Sequence, residues 1–535
     1  MYECPNCGGN LKYDIPSQQL ACPSCASHFD PYAFETKQSD AEESTVYVTT
    51  IFTCPQCGGE ITSTDNSAAE FCSFCGASTI LFGRLSNAHR PQYIIPFQQT
   101  KEDCKKSYAS LMKKAIFAPK EFRNPKHIDS FRGIYMPYWA FYITQAGPIQ
   151  LSGSDTFRRG DYLYTNHYRL TGDLDAYYKG LSFDASSSFS DNISEAIAPY
   201  EVRTMKRFTP AFLSGFYADT ADVSAYTYEA EAKGLCTEET FHVLEKEPAF
   251  STLSKSSKHN PSQLNTRIDA TDLTMFPVWF MSYRNGDRIA YATVNGQTGK
   301  VSADIPVDIK KYLLGSLILA VPIWIILNIL PDFFSLTLKP ATLLSVTAIF
   351  SIITMIITAV EAHKIIRQEA HEDDRGYLAI NNPQKLSETD QKGKGYKPKK
   401  AKSLSVLLIP AIYICVLLGS TMTGFLTVSS NRTMHSAMWV VYLIAAAISG
   451  SIALAKVSRT PGKKGMVPII LHFVALTIGY SVILFNPVYD FFFYGAAILI
   501  LGVIFFSLKA IMDQHNILST RPLPQFKRTG GDDRA

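Results

Sequence analysis

Three features predict a multi-domain chain that is small β at its start, α+β in its middle and all-α in its last part. A four-cysteine pattern is written twice near the N-terminus, two Pro-x-Trp segments anchor aromatic, strand-like stretches, and six long uncharged apolar runs follow residue 310. The whole-chain averages, a net charge of +4 and 12% aromatic residues, conceal this division. An aqueous part and a lipid-compatible part cancel in them.

The first element is the repeated cysteine pattern. Cys4-x-x-Cys7 is followed after fourteen residues by Cys22-x-x-Cys25, and fifty positions later Cys54-x-x-Cys57 and Cys72-x-x-Cys75 repeat the spacing. One Cys-x-x-Cys knuckle brings two thiolates to one ion, and two knuckles complete the tetrahedral sulfur shell that zinc prefers. The intervening stretch suits a short hairpin, and Gly8-Gly9 and Gly58-Gly59 supply backbone freedom where the chain wraps its amides around sulfur. We therefore expect two zinc ribbons, over 1–35 and 51–82, each holding one Zn2+ on four cysteines. The motif opens at Cys4 with no cleavable leader ahead of it, so thiolates in a reducing compartment are expected rather than secreted disulfides. His28 is near a knuckle, but four sulfurs already close each shell. The polar, acidic residues 36 to 50 read as a linker.

Charge decides what such ribbons touch. Residues 1 to 80 carry only Lys12 and Lys37 as cations against ten carboxylates, Glu3, Asp14, Asp30 and Glu60 among them. Affinity for a phosphate backbone comes largely from Lys and Arg releasing counterions. An acidic head made more negative by thiolates is disfavoured as a nucleic-acid binder, which leaves a structural or protein-docking role. A metal also substitutes for the core that so short a module cannot build.

Residues 83–308 read as a soluble α+β domain with an antiparallel sheet. Thr100 followed by Asp103 is a capping-box signature, and Tyr108, Leu111, Met112, Ala115 and Ile116 then recur at helical spacing among five lysines. Cys104 on this helix has no paired cysteine. Met136-Pro137-Tyr138-Trp139 is echoed by Phe276-Pro277-Val278-Trp279, and both read as strand starts, since proline is tolerated at a strand's first residue. Asn285-Gly286 and Asn295-Gly296 read as hairpin turns around the strand 288–294. The tryptophans are expected in a core rather than in a ligand cage. No Gly-x-Ser-x-Gly, His-Glu-x-x-His or phosphate-binding glycine loop occurs, so we expect no enzyme. Ser186, Ser187 and Ser188 read as a polar loop.

Beyond residue 308 the pattern changes to membrane spans. Uncharged runs at 312–330, 341–360, roughly 403–428, 438–455, 466–485 and 491–508 each approach the twenty residues a helix needs to cross a hydrocarbon core. They predict a six-helix bundle over 309–515 with a cytosolic tail, 516–535. The 361–402 and 456–465 connections are rich in Lys and Arg, whereas 331–340 and 429–437 carry one cation each. The positive-inside bias then places both termini in the cytoplasm, at an inner cell membrane. Polar groups within spans are few: His472 and Asn328 inside, Asp490 at an edge, and Pro322, Pro410 and Pro468 as kink sites. His472 is expected to make an interhelical hydrogen bond, and Ala445-Ala446-Ala447 with Gly450 to permit close packing. His363 and His371, eight apart, do not make a metal site.

The order of parts resembles a bacterial family. Two CPxCGG ribbon starts, a basic helix after Tyr93-Ile94-Ile95-Pro96-Phe97, the Tyr135-Met136-Pro137-Tyr138-Trp139 strand and Val294-Asn295-Gly296-Gln297-Thr298-Gly299-Lys300-Val301 before Pro306 are similar to double zinc-ribbon membrane proteins of the YdjG-like, TFIIB-type ribbon kind. The resemblance covers about residues 1 to 330. It implies the eight cysteines as metal ligands and a membrane docking platform in an envelope-stress module, with PspA-like and SPFH-domain proteins as cytosolic partners and the lipid bilayer as anchor. The residues themselves point to a non-enzymatic scaffold. The alternative is a six-span transporter or channel regulated by its ribbons, which polar groups lining the spans would favour.

Overall fold

The computed structural model describes residues 2–34, 46–63, 72–77, 82–244, 246, 264–316, 318, 339–391 and 432–525. The first ribbon is a three-stranded antiparallel sheet of Lys12–Asp14, Gln19–Ala21 and His28–Phe29. Tyr13 and Leu20, opposite each other across two of its strands, are both buried. It is too small for a core of its own and shares one with the neighbouring domain, where Leu11, Tyr13 and Leu20 cluster with Phe97, Tyr135 and Phe212.

That domain is organised by two long strands, Arg132–Arg159 and Asn265–Asn285, paired antiparallel with Met136 opposite Phe276. The two Pro-x-Trp segments are thus cross-strand neighbours. They lie inside strands, not at strand starts as expected. Each proline falls one residue before a second ladder begins, Pro137 before Tyr138 opposite Asp184 and Pro277 before Val278 opposite Asn295. Their carbonyls accept the Ala185 and Gly296 amides, both at 2.8 Å. The missing N–H therefore faces the end of a ladder, where a strand can spare a donor. Trp139 and Trp279 donate their indole N–H to Val223 O (2.8 Å) and Gln99 O (2.9 Å), so both are framework residues.

The second ribbon is not a separate unit. Its strands Val46–Thr53, Glu60–Ser63 and Phe82–His89 belong to the same twelve-stranded sheet, through Thr62 opposite Ala218 and Ala218 opposite Tyr135. The boundary drawn between 51–82 and 83–308 falls inside one sheet. Residues 46 to 50 form strand instead of linker, and 36–45 lie outside the described residues.

The helix Lys101–Lys114 starts with the expected capping box. Cys104, Tyr108 and Met112 face the core, whereas Ile116 lies past the helix end and is exposed. Of its lysines, Lys105 pairs with Asp129 at 2.8 Å and Lys106 with Asp103 at 3.2 Å. Asn285-Gly286 belongs to a two-residue hairpin turn, with Asn285 opposite Arg288 and Gly286 at φ 64°. Asn295-Gly296 opens a longer hairpin turn: Val294 pairs with Val301, the Asn295 and Gly299 amides donate to Lys300 O (2.8 Å) and Asn295 O (2.9 Å), and Asn295 Oδ1 accepts the Gln297 and Thr298 amides (both 2.9 Å). Its Nδ2 also donates to Ile197 O (3.0 Å), which fixes the turn to a distant segment.

Among the described residues, four helices are long and apolar enough to cross a membrane: Pro340–Glu369, Arg432–Val457, Met466–Phe485 and Phe491–Leu518. The runs predicted at 403–428 and over most of 312–330 lie outside the described residues, together with Asn328, Pro322 and Pro410. Pro468 sits in the first turn of its helix, where its missing N–H costs nothing, so no kink results. His472 is buried and joins three helices, with Nδ1 2.7 Å from Ser351 Oγ and Nε2 2.8 Å from Ser507 Oγ. A Cβ at Gly450 would lie 2.3 Å from the Phe473 ring, and one at Gly479 2.8 Å from Trp439, so the helices pack at glycine distance.

Bundle and sheet are joined where the last helix ends. Arg288 pairs with Glu369 at 3.1 Å and donates to Ile517 O and Thr520 O, and Arg521–Pro522 pairs with Arg288–Ile289 as a strand. Of the expected tail, 516–518 complete the last helix and 521–522 join the sheet. A second tie follows the helix Pro340–Glu369, where the Arg375 amide donates to Asp191 Oδ2 at 2.6 Å.

A Cβ at Gly296 would stand 2.6 Å from Phe97 and 2.8 Å from Pro277. Gly296→Ala should therefore cost about 1–3 kcal/mol of stability, the range for overpacking. Thermal unfolding of the purified protein checks it, and an unchanged transition would contradict the close approach.

Candidate metal centres

The eight cysteines expected as ligands assemble into two groups, Cys4, Cys7, Cys22 and Cys25, and Cys54, Cys57, Cys72 and Cys75, in each of which the ligand atoms lie within 4.8 Å of one another. Among the described residues these are the only groupings of three or more Cys, His, Asp or Glu that do so. Sulfur separations are 3.6 Å for Cys4–Cys25, 3.4 Å for Cys7–Cys22, and 3.7 Å for both Cys54–Cys75 and Cys57–Cys72. A tetrahedron with metal–sulfur bonds of about 2.3 Å has edges of about 3.8 Å, and a disulfide would need about 2.05 Å. The cysteines are free thiols spaced for a metal ion. Four thiolates in a tetrahedron form the donor set zinc takes in structural sites.

All four knuckles use one backbone device. The residue four places after the first cysteine donates its amide to that cysteine's carbonyl, Gly8 to Cys4, Ala26 to Cys22, Gly58 to Cys54 and Gly76 to Cys72, at 2.8–3.0 Å. Each has φ between 56° and 76°. Glycine is the natural residue there, and Ala26 marks the one knuckle whose sequence hides the turn.

The centres differ in exposure. Cys7 and Cys25 are open to solvent, while all four cysteines of the second centre are buried. The Ser27 hydroxyl, 3.2 Å from Cys25 Sγ, and the Ser27 amide hold the Cys25 thiol down to about 6. The first ribbon touches the sheet domain through Tyr13 N to Ser214 O (2.9 Å), Gln18 Nε2 to Phe97 O (2.7 Å) and Tyr32 OH to Arg207 O (2.9 Å). The second is built in, with Tyr291 OH donating to Phe74 O at 2.6 Å and Arg284 to Gln56 Oε1 at 2.8 Å. His28 is exposed and outside the first shell, as expected. Cys104 is buried, and its desolvation pushes the thiol well above the usual range. The His371 ring stacks on Tyr377 and joins no metal group.

A serine–aspartate network went unread in the sequence. Ser186 and Ser188 both donate to Asp219 Oδ2 at 2.6 Å, and the Ser187 amide donates to Asp222 at 2.7 Å. The partners are more than thirty residues apart, a distance no local motif spans. Nearby, burial pushes the carboxyls of Asp184, Asp191 and Asp374 upward, and Asp374 lies on the tie between bundle and sheet. These groups form no metal cluster.

Fold and centres together define a class: two closed four-cysteine sites on a mixed sheet domain attached to membrane-length helices. Over 316 residues, 58% of this chain, it is 27% identical to the uncharacterized protein YdjG of Bacillus subtilis (strain 168), of which the match spans 91%. No family model and no solved structure matches the chain.

Two outcomes are expected. A chelator should remove metal in two phases, the half-exposed first centre releasing roughly tenfold faster than the buried second one; a colorimetric metal assay on wild type and Cys7→Ser, which should lose the fast phase alone, reads this. The second concerns Asp219, which burial pushes up to about 7 against its two serine donors. A carboxyl held above its ordinary value stabilises the fold at low pH, and that contribution is lost as pH rises from about 4 through about 7. Asp219→Asn should accordingly weaken the decline in stability across that window in denaturant melts at several pH values.

Proposed function

We propose that this protein is a non-enzymatic, zinc-ribbon scaffold anchored in the bacterial inner membrane, with both termini cytoplasmic, recruiting cytosolic proteins to the bilayer. The carrying observation is that each centre is a closed four-sulfur shell. Catalytic zinc keeps a position open for water or substrate, whereas a four-thiolate site spends its metal on architecture. The side of the first ribbon where Cys7 and Cys25 are open to solvent is the docking face, while the second centre stiffens the sheet that carries it. The alternation of basic and neutral connections supports the topology. The proposal extends to a place in an envelope-stress module with PspA-like or SPFH-domain partners, which the resemblance of the ribbon and Pro-x-Trp segments to YdjG-like proteins implies.

A transporter reading draws on polar groups within the helices. His472 is occupied on both nitrogens by serines that tie helices together, a packing role that favours the scaffold.

Affinity capture of the full chain from detergent extracts tests the proposal. A soluble partner should be recovered from wild type and lost from Cys7→Ser/Cys25→Ser at equal membrane abundance. Equal recovery from both proteins would exclude the first ribbon as the docking face.

A further inference from the structure

The outer strand of the long hairpin, Tyr162–Asp184, pairs only with Arg132–Arg159 among the described residues. Among the described residues the next strand inward, Asn265–Asn285, stops opposite Ala146, so from Gly147 to Arg159 the ladder continues with two strands for about 40 Å. Its turn has two residues, Gly160 at φ 64° and Asp161, with Arg159 opposite Tyr162. Residues flanking such a turn exchange both hydrogen bonds, so the even-numbered residues after Tyr162 bond inward. The odd-numbered ones from Leu163 to Lys179 point their N–H and C=O groups at the outer edge.

In the middle of that edge, short of the exposed Lys179 at its end, charge changes sign at Thr171. His167 and Arg169 precede it, Asp173 and Asp175 follow it, and all four are exposed. Within the hairpin they face Ser154, Ser152, Pro148 and Ala146, none of which is charged. Charges on a bare edge ordinarily repel a second strand. Here an antiparallel strand of the same sequence, centred on Thr171, is attracted instead. Arg169 meets the second copy's Asp173 and His167 meets its Asp175, each twice by symmetry.

The opposite face agrees. Helix Glu229–Leu244 covers its inner part, where Tyr178 OH lies 2.5 Å from Thr240 Oγ1 and Leu174 packs against the cluster of Phe241 and Leu264. Farther out Tyr164 and Tyr168 are 46% and 43% exposed. In the same register Tyr168 comes beside the second copy's Leu174 and Tyr164 beside its Tyr178. The bare rings of each arm then reach the covered stretch of the other.

We propose that the outer strand is a self-association edge, on which two copies of this chain join by antiparallel pairing of residues 163–179 about Thr171. With the arms opposed, both bundles share one bilayer only if the arms run along its surface, placing two ribbon heads on one continuous sheet.

Sedimentation equilibrium of the full-length protein in detergent tests this. Wild type should dimerise, Arg169→Asp should raise the dimer Kd about tenfold or more, and Arg169→Asp/Asp173→Arg should return it to within about threefold of wild type. Thr171→Pro, which removes an outward N–H at the axis, should weaken the dimer as well. A wild type that stays monomeric throughout overturns the proposal. So does a dimer indifferent to these changes, or a double variant no tighter than the single one.

Discussion

The antiparallel register that sets Met136 against Phe276 is the constraint on which the other parts depend. Arg132–Arg159 and Asn265–Asn285 come together across more than a hundred residues of chain, and every other unit is fixed to one of them. The second ribbon attaches through Tyr217–Ala218 beside Ile134–Tyr135, and the first ribbon packs on the aromatic cluster of Phe97, Tyr135 and Phe216. The bundle of membrane-length helices is held through Arg288, at the far end of the hairpin that Asn265–Asn285 begins. A slip of one residue would turn these groups to opposite faces of the sheet. The prolines help to prevent it, because each can stand only where a ladder ends.

Metal, sheet and bundle thereby become one mechanical path. The second centre contributes its strands to the sheet, the sheet carries Arg288, and Arg288 grips the ends of two membrane-length helices. A second connection runs from the helix Pro340–Glu369 through Asp374 and Arg375 into the buried carboxylates of the sheet domain. Two separated attachments resist rotation where a single hinge would allow it. The first ribbon stands partly outside this frame, with Cys7 and Cys25 open to solvent.

Much of the metal chemistry was legible in the sequence, because ligand spacing is local. Four Cys-x-x-Cys knuckles at matched intervals specify both centres without any long-range information. The capping box at Thr100, the Asn285-Gly286 turn and the four described apolar helices are likewise written in short windows of chain. The Asn295-Gly296 turn was legible as well, but its longer loop and its bond to Ile197 depend on residues outside that window. The prolines were misplaced for a similar reason. A sequence shows that an N–H is missing but not which neighbour stops short beside it.

What the chain determined alone is composition-bound: thiolate sets, apolar lengths and the sign of charge in each connection. Tertiary structure decided which ribbon is buried and which is half open, that the second ribbon's strands join the main sheet, and that Ser186 and Ser188 neutralise the isolation of Asp219. The division has a physical cause. Metal ligation and lipid solubility depend on residues a few positions apart, whereas burial and strand order depend on partners separated by tens or hundreds of residues, whose meeting no local window encodes.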